Sequence, residues 1–526
     1  MTTTAQIVNL NTTITRAPTP SQYQQSGALV SVGGTTLTPG TSQFCSTLAA
    51  VKSILSTSLG NYVELTNMAT TFFAQGSSVG VYVLELGVEN EEVKSVTVGA
   101  GTYTYSAVPT VTFAAPTGLG GVRATGIAVL AIDQVASITV TNSGYYPGQA
   151  SPTATLSAAT TGTAPTLTPV LGSLNVDTQI ASLQTWITAN PGVFYAYLTP
   201  ANWDLLSQQV GSANAAAGTY TYTTTPTVTF TAATGLGVTA TGTVTLLGTQ
   251  VALITITNPG YYPSQPAPTA TLSAATTGTA PLVTVTMANY QDVLAANYSS
   301  PSGQTYFFVT TEQLLLSSYS PNKSVFATIT SPTAVSTEFQ AAVPFWNWLK
   351  NLPGPANFLA PMAYRYAYGV TPWVQAGNTN AINNLLSGYG NIILTGAEGG
   401  ISNACLFKGI LMDGAQASWW YGIDWFQIQV KIALANAIIN GSNSNPPLLY
   451  DQNGINTLLK VAQNTADTAV TYKCALSAVI TATPFGTYIA ANPGDYTIGE
   501  YGGFLATVVG QNGFITLQFN LNAVQF

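Results

Sequence analysis

Residues 514–526 alternate almost without fault: Ile515, Leu517, Phe519, Leu521 and Ala523 fall on one side, and Thr516, Gln518, Asn520 and Asn522 on the other. Period two is the pattern of a half-buried β-strand. This one carries neither charge nor proline to blunt an edge that would otherwise template pairing with another chain. Near the other end Val8, Leu10, Thr12 and Ile14 alternate with Asn9, Asn11 and Thr13, ahead of a flexible stretch over 16–26 with two prolines. The two segments predict linking strands, with Val8, Leu10, Ile14, Ile515, Leu517, Phe519 and Leu521 setting their register, and hence a protomer that assembles with itself.

Between them the pattern changes. Residues 79–86 (VGVYVLEL), 192–198 (GVFYAYL) and 304–310 (QTYFFVT) are nearly continuous apolar runs, as in strands of a sheet covered on both faces. Helical spacing is predicted over 52–55, 63–73, 180–189 and 290–297. Strands alternating with helices imply an α/β host domain. The alternation continues through a strand at 324–330, a helix over 334–349 that Pro344 should kink or split, and a strand at 391–394. Further on, Asp424 is placed to cap a helix through 440 whose apolar face is Trp425, Phe426, Ile428, Ile432, Ala435, Ile438 and Ile439. That helix reads as core or interface. Gly441 ends it, a loop with Pro446 and Pro447 follows, and a second helix over 453–478 precedes the terminal strand.

An internal repeat interrupts the host. GTYTYSAVPTVTF at 101–113 returns as GTYTYTTTPTVTF at 218–230, VASITVTNSGYYP at 135–147 as VALITITNPGYYP at 251–263, and PTATLSAATTGTAP at 152–165 unchanged at 268–281. Each copy is rich in Thr, Val and Ile, punctuated by Gly and Pro, and predicts a sandwich-like module of roughly five to seven short strands. The expected organisation is an N-terminal arm (1–26), an α/β domain (27–92, 172–211 and 287–400), two inserted all-β modules (93–171 and 212–286), a C-terminal domain (401–503) and a C-terminal strand arm (504–526). The fold class is α/β (α+β), multidomain.

Composition narrows the function. Only 6% of residues are charged, against about 25% in ordinary soluble domains, so little repulsion keeps copies apart. A net charge of −7 with eleven scattered basic residues argues against direct nucleic-acid binding. Histidine is absent, which removes the commonest general base and metal ligand. Cys45, Cys405 and Cys474 stand far apart and read first as buried free thiols, with a single bridge within or between subunits of an assembly left open and at least one thiol over. No catalytic residue, metal site or cofactor is expected, and the chain does not read as an enzyme. The start MTTTAQIVNL lacks the regions of a signal peptide, and 419–439 is interrupted by Asp424, Gln427, Gln429 and Lys431. The expectation is a cytosolic product without stable membrane insertion.

The last third resembles the contractile phage tail sheath family. The resemblance is carried by WWYGIDWFQIQVKIALANAII (419–439), NPPLLYDQNGINTLLK (445–460) and GFITLQFNLN (513–522), with upstream matches in VYVLELG (81–87), FYAYLTPANWD (194–204) and TYFFVTT (305–311). It implies a virion protein, assembled in the host cytoplasm, that stacks in hexameric rings around a tail tube and contracts to drive the tube through the host envelope. It further implies that the two arms add strands to small sheets of neighbouring subunits, and that the partners are other copies of itself, the tube protein, and baseplate and tail terminator proteins. The β modules are not part of the family's common core, and glycan contact by them stays open. Lys408, Asp413, Asp424 and Lys431 are the few charges available for holding a tube, each read as an ordinary surface or capping residue.

Blander readings cover the other motifs. Glu89, Glu91 and Glu92 read as a solvated loop, because glycoside hydrolysis needs two carboxylates set across a cleft. Gly118–Gly121 and Gly235–Gly237 are turns without the Lys or helix of a phosphate loop. Tyr145, Tyr146, Tyr261 and Tyr262 either pack the module cores or stack on sugars. Trp419, Trp420 and Trp425 read as core or interface. Two alternatives compete with the sheath: a static surface-layer or shell protein, which should carry a secretion signal, and a glycan-binding tail adhesin, which would leave the α/β domain unexplained.

Overall fold

The computed structural model describes residues 20–56, 61–87, 92–116, 123–142, 144, 146, 151–172, 176–204, 209–234, 237–262, 265–287, 291–374, 378–395 and 403–515. Its centre is a six-stranded sheet built from β1 (Gly27–Ser31), β2 (Ser42–Cys45), β3 (Val81–Glu85), β4 (Ala196–Leu198), β5 (Tyr306–Thr310) and β6 (Val325–Thr328). The spatial order is β2-β3-β1-β4-β5-β6, parallel throughout except for β2 at one edge. The chain steps from β1 to β3, returns past β1 to β4 and then continues outward, so the direction of winding reverses between β1 and β4.

The apolar runs become strands because both faces are covered. Leu29, Val83, Ala196, Leu198, Phe308 and Phe326 join one core with Leu65, Met68 and Phe72 of α1 (Tyr62–Ala74), and with Phe345 and Trp348 of a later helix. Their sequence neighbours Ala28, Val30, Leu84, Tyr197, Phe307 and Val309 point the other way, against Ile180, Leu183 and Trp186 of α2 (Val176–Ala189) and against Leu316 and Tyr319. Successive side chains of a strand face opposite layers, so every position must be apolar and no polar period can show.

Both repeat copies lie in strand-to-helix connections at the carboxyl edge of this sheet. Among the described residues, the regular elements between β3 and α2 are all strands, and after the short turn Ala201–Trp203 they are strands again until the helix Gln291–Ala296. In the second copy one sheet runs Val228–Phe230, Ala270–Leu272, Val283–Met287, Val210–Ala215, Gln250–Asn258, Thr241–Leu247. The first copy keeps most of these pairings in a four-stranded sheet and a two-stranded one, adds a two-stranded pair of Tyr103–Thr104 with Thr161–Gly162, and brings its end strands together by a bridge between Thr110 and Ile127. Each copy is thus a sheet rolled around its own small core, which in the first holds Tyr103, Tyr105, Phe113 and Tyr146 and in the second Tyr220, Tyr222, Phe230 and Tyr262.

The remaining elements are α3 (Ala342–Lys350), a hairpin of Ile392–Thr395 with Ala404–Phe407, α4 (Ala417–Ser442), α5 (Gln452–Thr471) and a second hairpin of β7 (Ala475–Ala482) and β8 (Phe504–Gly510). Four expectations change here. Pro344 falls in the first turn of α3, where N–H groups have no intrahelical acceptor to lose, so it begins the helix instead of kinking it. The first short helix is Leu48–Lys52, capped by Thr47, and not 52–55. Helix α4 starts at Ala417, so Asp424 lies two turns inside it and caps nothing. Helix α5 stops at Thr471, because Lys473 takes a left-handed conformation (φ 65°). The segment expected to continue it becomes β7.

Candidate assembly site

Helix α4 joins the central sheet to the C-terminal hairpin. Its amino-terminal half is core: Trp425, Phe426 and Ile428 are buried. Ile432 is half-buried and lines a groove of about 540 Å³ between α4 and α5, together with Trp425, Gln429, Asn436, Asn464 and Thr468. Toward the carboxyl end Ile438 and Ile439 are 48% and 61% exposed. One helix of about 39 Å therefore runs from the protein core into solvent.

At the buried end sits Asp424, whose Oδ2 accepts the hydroxyls of Tyr195 at 2.9 Å and Tyr306 at 2.7 Å. Tyr195 and Tyr306 stand at the amino ends of β4 and β5, and with Trp348 and Tyr421 they form a box of mutually edge-on and stacked rings. Gln24 ties the entry to β1 into the same place, donating to the Tyr421 carbonyl at 3.0 Å. Burial pushes the Asp424 carboxyl up to about 6, offset in part by Lys323 and by the two phenols. Lys323 is itself buried, bonds the Gly303 carbonyl at 2.6 Å and lies 4.1 Å from the Trp420 ring. The amino edge of the sheet thus holds α4, while the carboxyl edge carries the β modules.

Beside buried carboxylates such as Glu85, which accepts the Gly33 N–H at 2.7 Å, this chain uses side-chain amides as pieces of backbone. Gln75 accepts the Tyr368 N–H and donates to the Tyr368 carbonyl, Asn351 does the same for Ala360, and Asn391 bonds Gly409, Ile410 and Ala327. An amide pairs with a peptide unit as another peptide unit would. Gln416, just before α4, clamps Gly513 in this way at 2.9 and 2.8 Å, and the Tyr364 hydroxyl donates to the Ile515 carbonyl. The C-terminal segment is therefore rooted beside the start of α4.

The hairpin β7–β8 packs one face on α5, where Ala462, Ala466 and Ala469 meet Ala475, Ala478 and Ile480. Its opposite face is apolar and uncovered: Leu476, Val479, Leu505 and Val509 are 64%, 56%, 65% and 47% exposed. Gly510 ends β8 against the Trp419 indole, leaving no room for a Cβ.

Of the residues singled out from sequence, Val8, Leu10, Ile14, Leu517, Phe519 and Leu521 lie outside the described residues, as do Glu89, Glu91 and Tyr145. Ile515 is described, at the root. Asp413 accepts the Trp420 indole N–H at 2.6 Å and Lys431 is exposed. Asp424, expected as a surface or capping residue, is instead fully buried. Tyr146 and Tyr262 are module core. Tyr261 is buried against the α/β domain, its hydroxyl 2.9 Å from Ser317 and 2.7 Å from Ser318. All three cysteines are buried free thiols. Among the described residues no group of three or more His, Cys, Asp or Glu could hold a metal ion, and no helix is long and apolar enough to cross a membrane. Sequence reasoning missed Gln416, Tyr195 and Tyr306, and also Gln463 on α5, whose amide accepts the Ile480 N–H at 2.9 Å and donates to the Ala478 carbonyl at 3.3 Å.

No protein-family model and no curated protein matches the chain. Among solved structures, a sheath tail protein from Listeria innocua is similar over 92% of this chain and 94% of its own, at 9% identity and a TM-score of 0.40. A sheath tail protein from Desulfitobacterium hafniense is similar over 90% and 93%, at 9% identity and a TM-score of 0.37.

Proposed function

We propose that this chain is the subunit of a contractile phage tail sheath, a structural protein that polymerises as stacked hexameric rings around a tail tube and shortens to drive the tube through the host envelope. The observation that carries the reading is the C-terminal hairpin: two strands with an apolar face open to solvent, beside a rooted segment whose remaining residues alternate without charge or proline. Two-stranded hairpins are marginal alone and gain from added strands. Strand addition supplies main-chain hydrogen bonds that persist while the subunit bodies turn as rigid units.

The sheath-like motifs support the same reading by where they fall. WWYGIDWFQIQVKIALANAII is the body of α4, NPPLLYDQNGINTLLK is the loop and first half of α5, and GFITLQFNLN begins at the clamped Gly513. The tube, baseplate and terminator proteins are the partners this role requires. The β modules, leaving the sheet edge opposite to α4, serve as outward decorations. Adhesion through their GYYP tyrosines has little to stand on, since Tyr146, Tyr261 and Tyr262 are all buried.

Negative-stain electron microscopy of the concentrated full-length protein tests the reading. Hollow ridged cylinders are the expected result. Monodisperse particles that stay so when a tail tube is supplied as template would overturn it.

A further inference from the structure

The second β module meets the α/β domain at three points, and all three fall on one short helix. The chain enters the module after Asp204 and leaves it ahead of Gln291, the first residue of the helix Gln291–Ala296. The hydroxyl of Tyr319, on the helix Leu316–Tyr319, donates to Asp204 Oδ1 at 3.1 Å and accepts from Gln291 Nε2 at 2.9 Å. One phenol thus pins both connections together. The third point is Tyr261 of the module itself, whose ring packs in the α/β core and whose hydroxyl meets Ser317 and Ser318 of the same helix. Trp203, one residue ahead of Asp204, is fixed in turn by its indole N–H, which donates to Gln179 Oε1 at 2.7 Å. A module tethered by two free linkers would need none of these contacts.

We infer that Tyr319 clasps the second β module to the α/β domain through both of its connections, and that ionisation of Asp204 loosens the clasp. The inference goes beyond the sheath reading and does not depend on it, since every contact lies within one chain. Asp204 is half-buried. Burial pushes its carboxyl up to about 7, against the polar groups of Thr311, Tyr319 and the Glu312 backbone, and the charge of Glu312 adds to the push. From the helix Gln291–Ala296, Asp292 faces Tyr319 with a further acidic group. Acidic neighbours disfavour one more negative charge at this place. Loosening lets water reach the carboxyl and returns it toward its ordinary 3.8, so the clasped form holds the proton more tightly. Docking is therefore strongest below about pH 3.8, weakens about tenfold for each pH unit up to about 7, and levels off above. The module has no such response of its own to offer, because no Asp, Glu, Lys, Arg or His occurs between Asp204 and Asp292.

Time-resolved fluorescence anisotropy on the dilute full-length protein reads the clasp separately from polymer formation. Leu282→Cys places one reactive thiol on the module, since Leu282 is 76% exposed and the three native cysteines are buried. With a pH-insensitive dye there, the intact clasp should show little motion beyond overall tumbling at pH 5, and a fast component that grows up to pH 7 and then levels off. Asp204→Asn keeps a neutral oxygen for the Tyr319 hydroxyl and should hold the pH 5 behaviour up to pH 8. Tyr319→Phe should show the fast component at every pH. Should that variant fail to fold, the comparison with Asp204→Asn decides alone. The same dye at Ile132→Cys, on the exposed hairpin of the first module, should not respond to pH. A decay that is unchanged from pH 5 to 8, a pH response that survives Asp204→Asn, or an equal response at Ile132 overturns the inference, as does a folded Tyr319→Phe as rigid as the intact clasp.

Discussion

Tyr306, the first residue of β5, donates its hydroxyl to Asp424 in the middle of α4 at 2.7 Å, across 118 residues of sequence. This bond, with its counterpart from Tyr195, is the polar seam between the central sheet and the helix that leads to the hairpin. A hydrogen bond to a buried charged group contributes about 1.5–3 kcal/mol. Tyr306→Phe keeps the ring in its aromatic box and removes only that bond. Chemical denaturation should therefore show a loss in that range with an unchanged denaturant slope. A loss below about 0.5 kcal/mol would mean that the seam is held by ring packing alone.

The same carboxyl makes stability depend on pH in an unusual direction. Asp424 is raised from 3.8 to about 6 in the folded chain by burial, so the folded protein holds the proton more tightly than the unfolded one. Its stabilising contribution is complete below about pH 3.8 and is lost as pH rises through about 6. The swing approaches about 3 kcal/mol. Asp204, raised to about 7 by burial, pushes the same way, so the Asp424 share is read as a difference between variants. Stability of the wild type minus that of Asp424→Asn, followed by urea denaturation from pH 4 to 7, should fall with rising pH. A flat difference would place Asp424 as an ordinary ionised carboxylate.

How far sequence reached is instructive at single residues. Four of the five parallel strands of the host sheet, β3 to β6, were legible because strands buried on both faces must be continuous apolar runs, whereas the central β1 (Gly27–Ser31) and the edge strand β2 were missed, and the repeat was legible because its copies kept whole phrases. Asp424 was misread because a carboxylate among apolar helical positions looks like a cap, and its real partners lie 229 and 118 residues away. The end of α5 was missed because Lys473, and not a glycine, takes the left-handed turn. Gln416 and Gln463 had no local signal at all, since a glutamine that mimics backbone looks in sequence like any surface glutamine. The charge-poor composition was the one available hint: with few charged side chains to draw on, many buried carbonyls and N–H groups are met by amides.

The Gln416 clamp predicts that fold and assembly can be separated. Gly513 follows β8 and lies outside the hairpin ladder, so Gln416→Ala should cost the monomer no more than about 1 kcal/mol. It frees the root of the terminal segment, which must then be ordered at each new contact at about 1–2 kcal/mol per residue. Sedimentation should show a higher critical concentration for polymer at a nearly unchanged melting temperature. Removing 514–526 altogether should leave a folded monomer that does not polymerise. Polymer of normal yield from the truncated chain would show that the segment serves its own fold and not a neighbour.

Salt separates the two kinds of force that can hold copies together. No Asp, Glu, Lys or Arg occurs between Asp204 and Asp292, and the uncovered face of the hairpin is built from Leu, Val, Thr and Ser. Contacts made from such surfaces are main-chain hydrogen bonds and apolar burial. Raising ionic strength from 0.15 to 1 M shortens the screening length from about 8 to about 3 Å and weakens exposed ion pairs, but leaves these contacts standing. Preformed polymer, followed by light scattering, should therefore persist in 1 M sodium chloride and dissolve in urea, which solvates apolar and peptide groups alike. Dissolution by salt at a concentration where urea has no effect would place the subunit contacts on the few charges, with Lys431 on the exposed side of α4 the first to replace.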